Sequence, residues 1–358
     1  MNVTHHGMGD GASADSRAGA PAGTEIRTYH GQPVIKEPIW TWEIPCYFFT
    51  GGLAGASAGL AYMSSLRGND VLARRAWATA LASVAVSPAL LTSDLGRPRR
   101  VMNMLRMFKV TSPMSVGSWL LSASGASTAI AAAHAWTGSF AGAARVARPA
   151  AALLGLPLST YTAALVTNTA VPVWHESRRL LPFVFASGAA LSAGAAAVAV
   201  TPVRHARAAR RLALVSAALE FGCKELMERR LGDLGEPYKH AASFKFGRLG
   251  QALIAGGAGV LYGRGGRSRA AAAVAGAMLC AGALSARWSV FEAGFQSAAD
   301  PKYVVGPQRD AIRRGERRGA SRTEPHISAP QPAVGSPATA PAVVDEQREA
   351  AARPATPR

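Results

Sequence analysis

Cysteine, acidic residues and charge in general are scarce in this chain, and each shortage excludes something. There are 3 cysteines among 358 residues, and they stand far apart: Cys46, Cys223 and Cys280. An iron–sulfur cluster usually takes about four thiolates at short spacings, so no cluster is expected in this chain. Nor do three isolated cysteines make a disulfide framework; each reads as a small apolar packing residue. Charged residues amount to 17%, where an ordinary soluble domain carries about 25%. Acid is the rarer sign, with 21 Asp+Glu against 39 Lys+Arg, for a net charge of +18. A basic disordered protein would not also be 49% hydrophobic. Nucleic-acid binding needs a solvated basic face, whereas these bases are dispersed in short clusters, so no nucleic-acid partner is expected.

Long uncharged stretches separate the clusters. No charge falls between Glu43 and Arg67, Arg75 and Asp94, Lys109 and Arg145, Arg148 and Glu176, or Arg179 and Arg204. A membrane-spanning helix needs about 20 mostly apolar residues, so these gaps predict a polytopic membrane protein. Shorter gaps follow from Arg248 to Arg264 and from Arg269 to Arg287, and one further apolar run contains Glu220 and Lys224. The expected fold is an all-α integral membrane bundle of about eight transmembrane helices. They should lie near 45–66, 74–94, 114–136, 147–171, 181–202, 208–227, 246–263 and 270–291. The sixth is the costliest, since a charge at mid-membrane costs about 2.5–3.5 kcal/mol on insertion scales. Alanine and glycine dominate the spans, as in Gly51-Gly52-Leu53-Ala54-Gly55-Ala56, and small residues let helix backbones approach closely in a bilayer. Residues 1–39 are expected to be a polar flexible tail without a leader layout, residues 40–298 the bundle, and residues 299–358 a disordered basic tail rich in Pro and Ala.

With eight spans both ends lie on one side, here called face A. Face A then collects the start of the first span and the connections after the second, fourth and sixth. Face B receives short basic turns, Arg67–Arg75, Arg145–Arg148, Arg204–Arg211 and Arg264–Arg269. Acids at a membrane boundary are costly and therefore functional candidates. Glu43, Asp94, Glu176 and Glu220 all fall toward face A and are the candidate proton-transfer groups. The competing reading seats the first three in the headgroup region beside arginines and lets Glu220 neutralise Lys224 as an i,i+4 pair.

Haem between spans would need paired histidines; His134 and His205, both near face B, are the available pair, and no haem is expected. His175 is more suggestive, because it adjoins Trp174 and Glu176, and histidine is the side-chain type that can change charge near neutral pH. A membrane subunit without haem or cluster can still handle a quinone. It needs a ring-sized pocket, a donor for each carbonyl and a proton route.

The stretch Asp94-Leu95-Gly96-Arg97-Pro98-Arg99-Arg100-Val101-Met102-Asn103-Met104-Leu105-Arg106, continuing to Thr111-Ser112-Pro113-Met114-Ser115-Val116-Gly117-Ser118-Trp119, resembles the NrfD/PsrC family of polysulfide-reductase-type membrane subunits. Thr160-Tyr161-Thr162 with Asn168 to Glu176, and Trp42-Glu43-Ile44-Pro45-Cys46-Tyr47, agree with it. The resemblance covers about residues 40–300. It implies a bundle of eight or nine helices in the cell membrane, without a redox cofactor of its own. Such a subunit binds quinone or quinol near the face where an iron–sulfur subunit docks, and that subunit serves a molybdopterin catalytic subunit. The quinone contacts it implies are Trp42, Glu43, Tyr47 and Tyr161, to which the residue reading adds His175. Arg97, Arg99, Arg100 and Arg106 would dock the partner, or else anchor the bundle to lipid phosphate. Two other classes fit the same features: a proton- or solute-translocating protein, and a membrane anchor without quinone chemistry.

Overall fold

The computed structural model describes residues 34–94, 101–313 and Gly315. Both expected tails fall largely outside the described residues. All regular structure among the described residues is helical. Eight long helices form the bundle: α1 (Glu43–Leu66), α2 (Asp70–Asp94), α4 (Pro113–Thr137), α5 (Ala141–Thr167), α7 (Leu181–Val200), α8 (Arg207–Leu231), α9 (Ala241–Gly263) and α10 (Arg269–Ala299). Short helices α3 (Val101–Met104) and α6 (Pro172–Glu176) lie in connections, and α11 (Lys302–Arg313) follows α10. Residues 302–313, assigned to the tail from sequence, are therefore helical. Gln308 closes the compact bundle unit, and the chain from Arg309 onward forms a second unit.

Chemistry at the helix ends sets the boundaries. Ser112 caps α4 by accepting from the Ser115 amide at 3.4 Å, and Pro113 fills the first turn, where its missing N–H is not needed. Gly138 closes the same helix in a left-handed conformation, φ 73°. Ser268 caps α10 through the Ala271 amide at 3.3 Å. The expected fourth span begins at Ala141 rather than near residue 147 and ends at Thr167, so Trp174, His175 and Glu176 sit on the separate α6. The sixth span is a continuous helix despite its internal charges.

The long helices pair as hairpins, α1 with α2, α4 with α5, α7 with α8 and α9 with α10, while α1 and α7 join the two halves. Four of them, α2, α5, α7 and α10, are long and apolar enough to cross a membrane on composition alone. The other four are diluted by Gly, Ser or charged side chains. Polar contacts confirm the alternation of the ends. At face B, Asn69 Nδ2 donates to the His205 carbonyl at 2.9 Å, and Arg269 Nη1 donates to those of Val198 and Thr201 at 3.0 and 3.1 Å. At face A, Thr41 donates to Asp94, and the Trp174 indole donates to the Val290 carbonyl at 2.8 Å.

Glycine makes the close packing possible. At the α1–α5 crossing a side chain on Gly55 would collide with the Gly155 carbonyl, and one on Gly155 would strike Gly55. A Cβ on Gly250 of α9 would come within 3.0 Å of the Gly282 carbonyl of α10. The face A end of the core holds the large side chains Tyr47, Phe48, Trp174, Phe185 and Phe291. The other two clusters are built mainly from alanine.

Candidate functional site

The stretch from Ser112 to Trp119 does more than start a helix. Ser115 Oγ accepts from the Lys109 amide at 3.1 Å and donates to the Met107 carbonyl at 3.0 Å, which ties the connection after α3 to the first turn of α4. Gly117, one turn on, stands against Tyr161 of α5, and a Cβ there would overlap the phenol ring. The missing side chain at 117 is what lets the Tyr161 ring lie between α4 and α5.

Tyr161 thereby becomes one wall of a cavity of ≈300 Å³ bounded by α1, α2, α4, α5 and the segment before α4. Its walls are mostly apolar, with Ile44, Val84, Leu91, Leu121 and Leu165 among them. Its serine and threonine hydroxyls are already used by their own helices: Ser118 donates to Ser115, Ser122 to Ser118 and Thr92 to Pro88. Tyr47 and Tyr161 are different. Both line the cavity, and neither phenol hydroxyl has a hydrogen-bond partner among the described residues. Tyr47 is buried to 1% exposure and Tyr161 is half-buried, so the cavity is where their donors can be used.

Asp94 stands at the edge of this cavity. Its Oδ1 accepts from the Thr41 amide at 3.3 Å and from the Thr41 hydroxyl at 3.0 Å. The same hydroxyl lies against Glu43 Oε2. Two of the four candidate acids therefore meet at one threonine. A hydroxyl carries a single proton, so Thr41 donates to one carboxylate at a time.

The other candidates lie elsewhere. Trp42 is 59% exposed and does not line the cavity; Trp40 does, and stacks on Trp174 with ring centroids 5.6 Å apart. His175 and Glu176 are exposed on α6, with Glu176 3.4 Å from Arg178. They share face A with the cavity without entering it. Arg106 is exposed just before α4, while Arg97, Arg99 and Arg100 lie outside the described residues. The cysteines occupy three separate helices, and among the described residues no three His, Cys, Asp or Glu side chains gather as metal ligands. His134 Nδ1 lies 3.1 Å from the Ser139 carbonyl, and His205 Nε2 accepts from Arg204 at 3.1 Å, so each is engaged locally.

Glu220 belongs to a second polar centre. It is 2% exposed, and neither carboxylate oxygen has a hydrogen-bond partner among the described residues. Lys224 instead pairs with Glu228 at 3.7 Å. That corrects the self-neutralising Glu220–Lys224 pair read from spacing. Arg287 of α10, also 2% exposed, approaches Glu220 without a direct ion pair; a Cβ on Gly188 of α7 would strike both the Arg287 guanidinium and Glu220 Oε2. Arg287 Nη2 donates to the Phe185 carbonyl at 2.8 Å, and its guanidinium carbon lies 4.0 Å from the Phe185 ring centroid. The sequence reading closed an uncharged run at Arg287 while carrying the span on to about residue 291. The 31-residue α10 runs on to Ala299 and leaves it inside.

A family profile described as "Polysulphide reductase, NrfD" matches residues 28–223, more than half of the chain. The chain belongs to the NrfD family. The match covers every helix that lines the cavity, together with Glu220, and stops before α9. No curated protein and no solved structure matches the chain. The NrfD assignment and the eight-helix bundle agree on an integral membrane protein.

Outside the bundle, the connection after α8 is fastened to the start of α11. Lys302 Nζ lies 3.0 Å from Glu236 Oε2, and the Tyr303 hydroxyl donates to the same oxygen at 3.2 Å. The hydrogen bond from Lys302, with its charge, holds the Glu236 carboxyl below the usual carboxylate range.

Proposed function

We propose that this NrfD subunit binds a quinone or quinol in the Tyr47–Tyr161 cavity and exchanges electrons with an iron–sulfur subunit docked on face A. That subunit serves a molybdopterin catalytic subunit of the polysulfide reductase or formate dehydrogenase kind, the whole sitting in the cell membrane. The observation that carries this reading is the pair of uncommitted phenol donors in an otherwise apolar cavity. A quinone has two carbonyl acceptors on an apolar ring, and binding sites of this kind combine apolar walls with a few well-placed polar groups.

Quinol oxidation releases two electrons and two protons, and reduction takes up the same. The electrons pass to or from the docked subunit. The protons need acceptors at the cavity edge, and Asp94, Thr41 and Glu43 form a connected set there. A proton on either carboxyl reaches the other through the Thr41 hydroxyl by rotation of that group. His175 and Glu176, exposed on the same face, serve proton exchange with water or contact with the partner. Arg106 and the arginines at 97, 99 and 100 serve docking. Glu220, the fourth candidate acid, lies in the second centre away from the cavity and is not part of this proton route.

Tyr161→Phe keeps the ring and removes the donor. Quinol-linked turnover in membranes should fall about tenfold, the equivalent of one hydrogen bond worth about 1.4 kcal/mol. Unchanged turnover would remove Tyr161 from the site.

A further inference from the structure

A second concavity lies on the outer surface of the bundle where α1, α5, α7 and α8 meet. It has a volume of ≈970 Å³ and shares no lining residue with the Tyr47–Tyr161 cavity. Small residues, Gly55, Gly59, Ala186 and Ala190 among them, make it deep. Leu156, Met63 and Val215 line it and are 67%, 46% and 59% exposed, so its apolar surface faces outward, where acyl chains would be. The hydroxyls within it are spent on their own helix, Ser159 on the Gly155 carbonyl and Thr160 on that of Pro157.

Two charged groups close its face B end. Arg67 follows the last turn of α1 and Arg211 lies in the second turn of α8, and both line the groove and are exposed. Neither makes an ion pair among the described residues. Asp70 is the single acid in the sequence of the face B turns, against arginines at 67, 74, 75, 145, 148, 204, 207, 210 and 211 and again at 264, 267 and 269. The groove is thus an apolar trough with a doubly cationic end at headgroup level.

We propose that this groove binds one anionic phospholipid, its phosphate between Arg67 and Arg211 and an acyl chain along α1, α5 and α8. The guanidinium group matches a phosphate with paired N–H donors, and basic recesses between spans hold anionic headgroups. A zwitterionic lipid would bring its own cation to the same rim. The inference is independent of the quinone reading, because the two sites share no residue.

The test uses the full chain purified in detergent and equilibrated with equal amounts of phosphatidylglycerol and phosphatidylcholine of matched chains. Native mass spectrometry then counts the retained lipids. The wild type should retain phosphatidylglycerol preferentially. In Arg67→Gln/Arg211→Gln that retention should fall about 30-fold, from about 1 kcal/mol for each arginine at a membrane surface. Gly59→Leu supplies a variant with both charges intact. A Cβ at Gly59 meets nothing within 4 Å, so a side chain there starts into the open groove, and retention should fall there too. Arg145→Gln, in another face B turn, should leave retention unchanged. Equal retention of the two lipids, or undiminished retention in the double arginine variant, overturns the proposal. Retention lost in the arginine variant but intact in Gly59→Leu overturns it as well, since the charges would then act without the groove.

Discussion

Between α1, α2, α4 and α5 the polar side chains border a cavity; between α7, α8 and α10 the charged ones, Glu220 and Arg287, are packed against one glycine. Tyr47, Tyr161 and Asp94 border a space of ≈300 Å³. Glu220 and Arg287 crowd Gly188 with no comparable space between them. A donor beside a cavity is available to a ligand, whereas a charge beside its counter-charge mainly keeps the interior tolerable. Exposure alone would have misled, because Tyr47 at 1% is as buried as Glu220 at 2%. The two regions should therefore fail differently when mutated, one in turnover and the other in folding.

Arg287→Met should have the largest effect. It strands the Glu220 carboxylate inside the bundle, and removing the counter-charge of a buried carboxylate costs about 3–5 kcal/mol. The expected result is a large drop in thermal unfolding temperature in detergent, with most of it regained in Glu220→Gln/Arg287→Met. A single variant that melts like the wild type would show that Glu220 is held neutral and that the two groups do not balance each other's charge. Tyr47→Phe/Tyr161→Phe should behave in the opposite way. Two lost donors predict about 100-fold lower quinol turnover with an unchanged melting temperature. A lowered melting temperature together with normal turnover would place the phenols in the packing and not in a site.

Charge gaps were enough to read seven of the eight long helices, because a charged side chain ends an apolar run sharply; α8, with Glu220 and Lys224 inside it, had to be read from its apolar run instead. Tyr161 and Asp94 were also legible and do line the cavity. The surroundings of Glu220 were not. Positions 220, 224 and 228 form one i,i+4 stripe, so Lys224 has an acid a turn away in each direction, and local spacing favours neither. Arg287, on another helix, crowds Gly188 together with Glu220, and no local spacing in the sequence connects the two. Trp40 was missed for a related reason: Trp40 and Trp42 both precede α1, and only packing against Trp174 turns the first inward.

Gly117 carries the link between the family-like stretch and the cavity, and Gly117→Ala should be of intermediate effect. The added methyl overlaps the Tyr161 ring, and overpacking of this kind costs about 1–3 kcal/mol. Turnover and melting temperature should fall together. Gly117→Ala/Tyr161→Leu should regain stability without regaining turnover, since the ring that clashes is also the ring that donates. Recovery of turnover in that double variant would mean the cavity needs shape but not the Tyr161 hydroxyl.

The smallest effect belongs to the Glu236–Lys302 contact at face A, which lies outside both regions. Glu236 has its carboxyl held low, chiefly by the hydrogen bond from Lys302. A depressed carboxyl stabilises the folded contact above its unfolded pKa, near 4.3, and that contribution is lost as pH falls through the lower folded value. The contact should therefore be intact at pH 7 and release only below about pH 4. The Lys302 ammonium is shifted upward, first by its hydrogen bond to Glu236, so raising the pH into the ordinary lysine range should not release it either. Hydrogen exchange of residues 300–305 across pH checks this. In Lys302→Met the same residues should exchange faster at pH 7, with turnover and melting temperature nearly unchanged. A fall in turnover there would tie this surface clasp to the docked partner and end its separation from the cavity.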